Sequence, residues 1–357
     1  MCSGITRHLI SDNASGVHPE VLRMIHTANV GHAVAYGEDE YTRKAREVFR
    51  SHFGETTRAY FVGTGTAANI LALQSVTQSF EAVICADSSH LHRDECGAPE
   101  KILGSKTLIA PAVRGKITTP AIQLLVQDAN GFHRVQPRVV SISQPTEYGT
   151  VYTPEEVRSL ADFCHQNGLF LHVDGARLSN AAASLNLTLR DMTTALGVDL
   201  LSFGGTKNGL LAAEAVVVLT PASVQHVEFY QKQSMHLLSK MRFVSAQFLA
   251  LLGSDLWLKN AHHANAMAKL LAVGASKIPD VQIIFPPETN AIFARIPRAW
   301  VDSLQSHSRF HVWDSQTTTV RWMTSFDTQE IDIEDFVRHL ESCQRGGTKE
   351  RDESAVH

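Results

Sequence analysis

Between residues 59 and 220 the chain is punctuated by short apolar runs with little place for charge: AYFV (59–62), AVICA (82–86), VVSIS (139–143), LFLHV (169–173), LLSF (200–203) and AVVVL (215–219). A strand with one wet face alternates polar and apolar residues. Several of these runs are apolar throughout, which suits strands covered on both faces. Helical patterns separate them. The best marked follows VVSIS, where Thr153 is placed to cap a helix, Pro154 suits its first turn, Glu156 completes a capping box and Gly168 ends it. Strands alternating with helices predict an α/β domain, a mainly parallel mixed sheet sandwiched by helices.

Further on, residues 235–275 read as a long helical stretch interrupted near Gly253–Ser254. VQIIF, NAIFARI and TTVRWMTSF read as strands of a smaller α+β unit, closed by a helix around 332–345. The expected organisation is a large domain over 1–255, its N-terminal segment 1–15 included, then a small C-terminal domain over 256–345 and a disordered polar tail over 346–357.

Composition narrows the function classes. Hydrophobic residues make up 44 % and charged ones 19 % of the 357, the balance of a globular chain. A net charge of −4 gives no support to nucleic-acid binding. No stretch approaches the roughly 18 consecutive apolar residues of a membrane span. The N-terminal MCSGITRHLISDNASG lacks the apolar core of a signal peptide. Cys2, Cys85, Cys96, Cys164 and Cys343 are scattered without a CxxC pair, so reduced thiols in the cytoplasm are expected, with no disulfide framework and no metal site.

Chemistry is concentrated where apolar runs end. GTGTAANILAL (63–73) passes from a strand into a helix, with Gly63 and Gly65 for close backbone approach and free amides at the helix start for an anion. It lacks the third glycine of a dinucleotide fingerprint and the lysine of a P-loop. In HVDGARL, Asp174 follows a strand and Arg177 comes three residues later. In SFGGTKNG, Lys207 stands between two apolar runs, where desolvation favours the neutral amine that imine formation needs. His90 follows AVICADSS and is positioned to cover a flat ligand. Taken singly, each has an ordinary reading: a glycine turn, an Asp174–Arg177 pair, a surface lysine. Taken together, a phosphate turn, an aspartate after a strand and a later lysine make the order that holds pyridoxal 5′-phosphate. The phosphate sits on the helix start, the aspartate keeps the ring nitrogen protonated, and the lysine bonds the aldehyde.

On these pieces, with AYGEDEYT (35–42), the chain resembles the low-specificity L-threonine aldolases of the β-eliminating lyase branch of fold-type I pyridoxal-phosphate enzymes, over nearly its whole length. The resemblance implies Lys207 as the Schiff-base lysine, Asp174 as partner of the pyridine nitrogen, Gly65 and Thr66 as phosphate turn, and His90 as the ring-covering histidine and a candidate base. It implies Ser11, Arg177 and Arg321 at the substrate carboxylate and His133 near the substrate hydroxyl. Tyr36 and Glu95 would line the site, and Lys240 and Arg242 would reach a neighbouring subunit's phosphate. The implied activity is cleavage of L-threonine, L-allo-threonine and other β-hydroxy-α-amino acids to glycine and an aldehyde, by a homotetramer built as a dimer of dimers. Two stretches depart from the family pattern. SISQPTEYGTV (141–151) puts Glu147 where a histidine is usual, and HLLSKMRFVSAQ (236–247) replaces a glycine-rich segment. Another pyridoxal-phosphate lyase or aminotransferase is the nearest alternative, and a catalytically silent binding or assembly protein of the same fold the non-enzymatic one.

Overall fold

The computed structural model describes residues 7–129, 131–221 and 223–354, with side chains described to residue 345. It divides into two compact units: residues 17–258 form one, and residues 7–16 together with those from 259 onward form the other.

The larger unit is built on a seven-stranded sheet. Its strands are β1 (Arg58–Val62), β2 (Glu81–Ala86), β3 (Lys106–Ala110), β4 (Gln136–Ser143), β5 (Phe170–Gly175), β6 (Leu200–Gly204) and β7 (Glu214–Val218), in the order β1-β7-β6-β5-β4-β2-β3. Strands β3, β2, β4, β5 and β6 are mutually parallel, and β7 is antiparallel to β6 and β1. All the predicted strands of this region form. The one missed, β3, opens on Lys106 and is only partly buried, so it lacks the apolar signature of the rest. The predicted capping box is present: the Thr153 hydroxyl accepts from the Glu156 amide at 3.3 Å, and the Glu156 carboxylate accepts from the Thr153 amide at 2.7 Å.

A cluster of buried aromatic rings packs on the sheet at β1 and β6. Phe203 of β6 meets Phe49 edge-on at 5.7 Å, and Phe49 meets Phe248 at 5.1 Å. Phe248 stacks on Phe61 of β1 at 5.2 Å. All four rings are fully buried, so helices Glu40–Phe53 and Arg242–Leu252 are fixed to one face of β1 and β6. Aromatic pairs of this kind add about 0.5–1.5 kcal/mol each beyond the area they bury.

The smaller unit is a four-stranded antiparallel sheet, β8 (Gln282–Ile283), β9 (Ala291–Arg295), β10 (His311–Asp314) and β11 (Thr319–Met323), in the order β10-β11-β9-β8. Three expectations are corrected. The N-terminal segment belongs with this unit and not with the large domain, because the Leu9 carbonyl accepts from the Met323 amide at 2.9 Å and Asp12 accepts from Asn290 at 3.0 Å. The division falls after Leu258, inside helix Leu256–Ala275, and not at 255. The closing helix runs Glu330–Ser354, so the backbone expected to be a disordered tail from 346 is helical as far as 354, and 355–357 lie outside the described residues.

Candidate active site at the carboxyl ends of the strands

In an open α/β sheet, ligands bind beyond the carboxyl ends of the strands. Helix Gly65–Gln74 follows β1, His90 follows β2, Glu147 follows β4, Asp174 ends β5 and Lys207 lies on a short turn, Thr206–Asn208, after β6. Two glycines bring the last two together. A Cβ on Gly204 would stand 2.3 Å from the Ala176 carbonyl oxygen, and one on Gly205 would stand 2.6 Å from that of Ala213. Neither position admits a side chain, and the close approach sets the Lys207 turn against the loop that follows Asp174. Asn208 then anchors the turn by donating to the Trp257 carbonyl at 2.9 Å.

A hydrogen-bonded chain joins the polar groups. Asn69, on the helix that starts at Gly65, donates to Asp174 Oδ2 at 2.9 Å and to Glu95 Oε1 at 2.8 Å. Glu95 also accepts from His90 Nδ1 at 2.9 Å, which leaves Nε2 as the imidazole's outward nitrogen. The His90 amide donates to Glu147 Oε1 at 2.8 Å. Burial pushes the Asp174 carboxyl up, but the Lys207 ammonium, Asn69, the Ala176 amide and His90 outweigh it, and its pKa lies below the ordinary aspartate value. Asp174 is therefore a carboxylate stabilised by the positive charge of Lys207. Behind it on β5, His172 is fully buried with a serine hydroxyl on each ring nitrogen, Ser141 and Ser202, both at 2.9 Å. Burial lowers its pKa, so it is a neutral strut beneath the site.

The hydrogen bond that His90 donates to Glu95 raises the pKa of His90 against the opposing effect of burial, with Asp174 assisting. Glu95→Gln is expected to lower that pKa. It should move the acidic limb of the kcat/KM profile to lower pH and cost about tenfold in rate. A limb that stays in place would mean that another group titrates there.

Glu214, opening β7, accepts from the Gly205 amide at 3.1 Å beneath the lysine turn, and burial raises its pKa to about 7 from 4.5. The unfolded carboxyl ionises first as pH rises, so the folded state loses stability between those two values, by about 3 kcal/mol in all. Glu214→Gln is expected to raise the unfolding midpoint of the cofactor-free protein at pH 8 and to leave it little changed at pH 4.5, as thermal melts would record.

The remaining predicted residues fall into separate groups. Arg177 stands at the start of helix Leu178–Leu185, directly after the Asp174 loop. Tyr36 is exposed with a positive φ of 60°, its amide donating to the Ser239 carbonyl at 3.0 Å. Next to Ser239, Lys240 is exposed, and Arg242 donates to the Gly31 carbonyl at 3.1 Å. These loops, 31–36 and 239–242, are held to each other. His133 is exposed in a turn before β4, its ring 4.2 Å from that of Phe132. In the smaller unit, Ser11 accepts from the Asn13 amide at 3.2 Å, and Arg321 of β11 donates to the neighbouring Ile10 carbonyl at 3.4 Å and lies over Trp313. Among the described residues, no cluster of three or more His, Cys, Asp or Glu could hold a metal ion, and no helix is long and apolar enough to cross a membrane.

Asn69, Glu147 and His172 were not foreseen as parts of the site. Only Glu147 left a trace in the sequence, as a departure from the family pattern.

The donors present fit one kind of cofactor. Thr64 caps the helix start, its hydroxyl accepting from the Ala67 amide at 3.2 Å, and a Cβ on Gly63 or Gly65 would meet no atom within 4 Å. Open space thus lies over amides that attract anions. A molecule that is at once a phosphate, an aldehyde and a basic heterocycle uses this helix start, Lys207 and Asp174 together. Pyridoxal 5′-phosphate is such a molecule, and the fold is that of the fold-type I enzymes that depend on it. Residues 8–298 match the model of the β-eliminating lyase family, to which the chain belongs. It is 39 % identical to low-specificity L-threonine aldolases of Pseudomonas sp. (strain NCIMB 10558) and of Pseudomonas aeruginosa, over 94 % of this chain and 97 % of theirs. A solved threonine aldolase from Leishmania major superposes with a TM-score of 0.89 at 28 % identity, over 94 % of this chain and 99 % of that one.

Proposed function

We propose that this enzyme cleaves L-threonine, L-allo-threonine and related β-hydroxy-α-amino acids to glycine and an aldehyde, acetaldehyde in the case of threonine. The observation that carries the reading is the ionised Asp174, electrostatically coupled to Lys207 and His90, at the strand ends of a chain so similar to two threonine aldolases. Pyridoxal phosphate, when bound, supplies an electron-accepting ring that weakens bonds at the substrate Cα.

The chain's own residues do the rest. The helix start at Gly65 and Thr66 binds the phosphate. Lys207 Nζ would hold the cofactor through its aldehyde carbon. Asp174, whose carboxylate Asn69 holds at 2.9 Å, would keep the cofactor's ring nitrogen protonated. The guanidinium groups of Arg177 and Arg321, with Ser11, receive the substrate carboxylate, for which a planar fork is suited. That grip orients the Cα–Cβ bond for cleavage. His90 Nε2, or His133, takes the proton of the β-hydroxyl. The exposure of His133, Tyr36 and Lys240 suits residues that work across a boundary between copies of the chain. We therefore extend the reading to a homo-oligomer, a dimer of dimers, with Tyr36, Lys240 and Arg242 contributing to a neighbour's site. Cys85, Cys96, Cys164 and Cys343 carry free thiols, in keeping with a cytoplasmic setting.

The test is to incubate the cofactor-loaded protein with L-threonine, its allo diastereomer and phenylserine. Glycine with the matching aldehyde is the expected outcome. Ammonia or a keto acid as the main product would overturn the aldolase assignment in favour of another lyase or an aminotransferase.

A further inference from the structure

At the free edge of the large sheet, beside β1, a cleft of about 320 Å³ is lined by Arg46, Arg50, Thr57, Arg58, Tyr60 and Glu228. Arg46 and Arg50 stand one turn apart on helix Glu40–Phe53, whose opposite face is locked into the core through Ala45, Phe49 and Phe53. Arg58 opens β1. Neither Arg46 nor Arg50 is well exposed, and among the described residues neither has a carboxylate within 4 Å. Arg46 makes only a long bond of 3.5 Å to the Gly37 carbonyl. Arg58 and Glu228 act with opposite sign on the Tyr60 hydroxyl. Glu228 is the one acid in the wall, against three guanidinium groups. Thr57 is 3 % exposed, and its hydroxyl has no hydrogen-bond partner among the described residues.

Like charges gathered in a partly buried wall cost free energy unless an anion joins them. On the same helix Arg43 is matched to an acid, Glu47, at 2.7 Å. This wall has three unmatched forks, a hydroxyl that a small rotation would turn toward an acceptor, and room for more than a bare ion. We propose that the cleft is a second anion site, one that takes phosphate or a small phosphate ester. None of its lining residues takes part in the chemistry at Lys207, so the assignment holds whichever amino acid that site cleaves.

The test is calorimetric titration of the cofactor-loaded protein, whose own phosphate turn is then filled, with inorganic phosphate, inorganic pyrophosphate and glucose 6-phosphate at low ionic strength. Saturable binding of at least one is expected, with one site per chain. Tighter binding of the sugar phosphate than of phosphate would identify an ester site, and the reverse a site for the free ion. Arg50→Gln should weaken binding tenfold or more while the rate of threonine cleavage is unchanged. Glu228→Gln should tighten it, a gain that misfolding cannot mimic. No binding of any of the three at about 10 mM would overturn the proposal, as would binding indifferent to both substitutions. A fall in assembly mass by light scattering in the Arg50→Gln protein would also overturn it, assigning the cleft to a contact between copies.

Discussion

Lys207→Ala is expected to abolish threonine cleavage, with a loss of at least about 10³-fold, equivalent to roughly 4 kcal/mol of barrier. The same substitution should remove the visible absorption of the protein-bound cofactor and leave any bound pyridoxal phosphate free to dialyse away. The reason is geometric. The amine sits on a turn whose path is dictated by Gly204 and Gly205 and pinned by Asn208. The turn itself makes its hydrogen bonds through the main chain and Thr206, Asn208 and Glu214, so the alanine protein should fold. Unchanged turnover and absorbance would refute the assignment of Lys207.

Asp174→Asn is the second large effect. The amide is nearly isosteric, and the Asp174 carboxylate already accepts from the Ala176 amide at 3.0 Å and from Asn69, so the fold should survive. What changes is charge. A neutral group cannot hold a proton on a pyridine nitrogen, and the ring becomes a weaker electron acceptor. A fall of about 10²–10³-fold in kcat is expected, with KM for threonine little altered, because the lost interaction acts on the transition state and not on substrate binding. The cofactor spectrum should shift as well. A variant with wild-type kcat would mean that the ring nitrogen is not protonated from this side. Asn69→Ala should give a weaker version of the same result, since Asn69 holds the carboxylate without supplying its charge.

The parts of the site legible in the sequence share one property: each interrupts or ends an apolar run. Lys207 and Asp174 stood out because a charge between buried strands demands a use. The alternation of strands and helices likewise made the α/β sheet legible, while β3 and β10 were lost because their residues are only partly covered. Asn69 was illegible for a different reason. Its partners, Glu95 and Asp174, lie 26 and 105 residues away, and only the path of its helix across β7 and β6 toward β5 makes them neighbours. Glu147 and His172 are of the same kind, defined by which strands flank them. The N-terminal segment was assigned to the wrong unit because a short polar stretch carries no periodicity to say which sheet will accept it. Leu9 and Asp12 find their partners at residues 323 and 290, far beyond any sequence window.

That last pairing has a consequence for biosynthesis. The smaller unit owns both the beginning and the end of the described chain, with residues 17–258 spliced between. On the ribosome the opening segment emerges first yet has nothing to bind until β9 and β11 appear. At the usual elongation rates of about 5–20 residues per second, that wait lasts roughly 10–60 s. The body that bears the lysine can mature during this interval, whereas the body that bears Arg321 closes only once β11 has emerged.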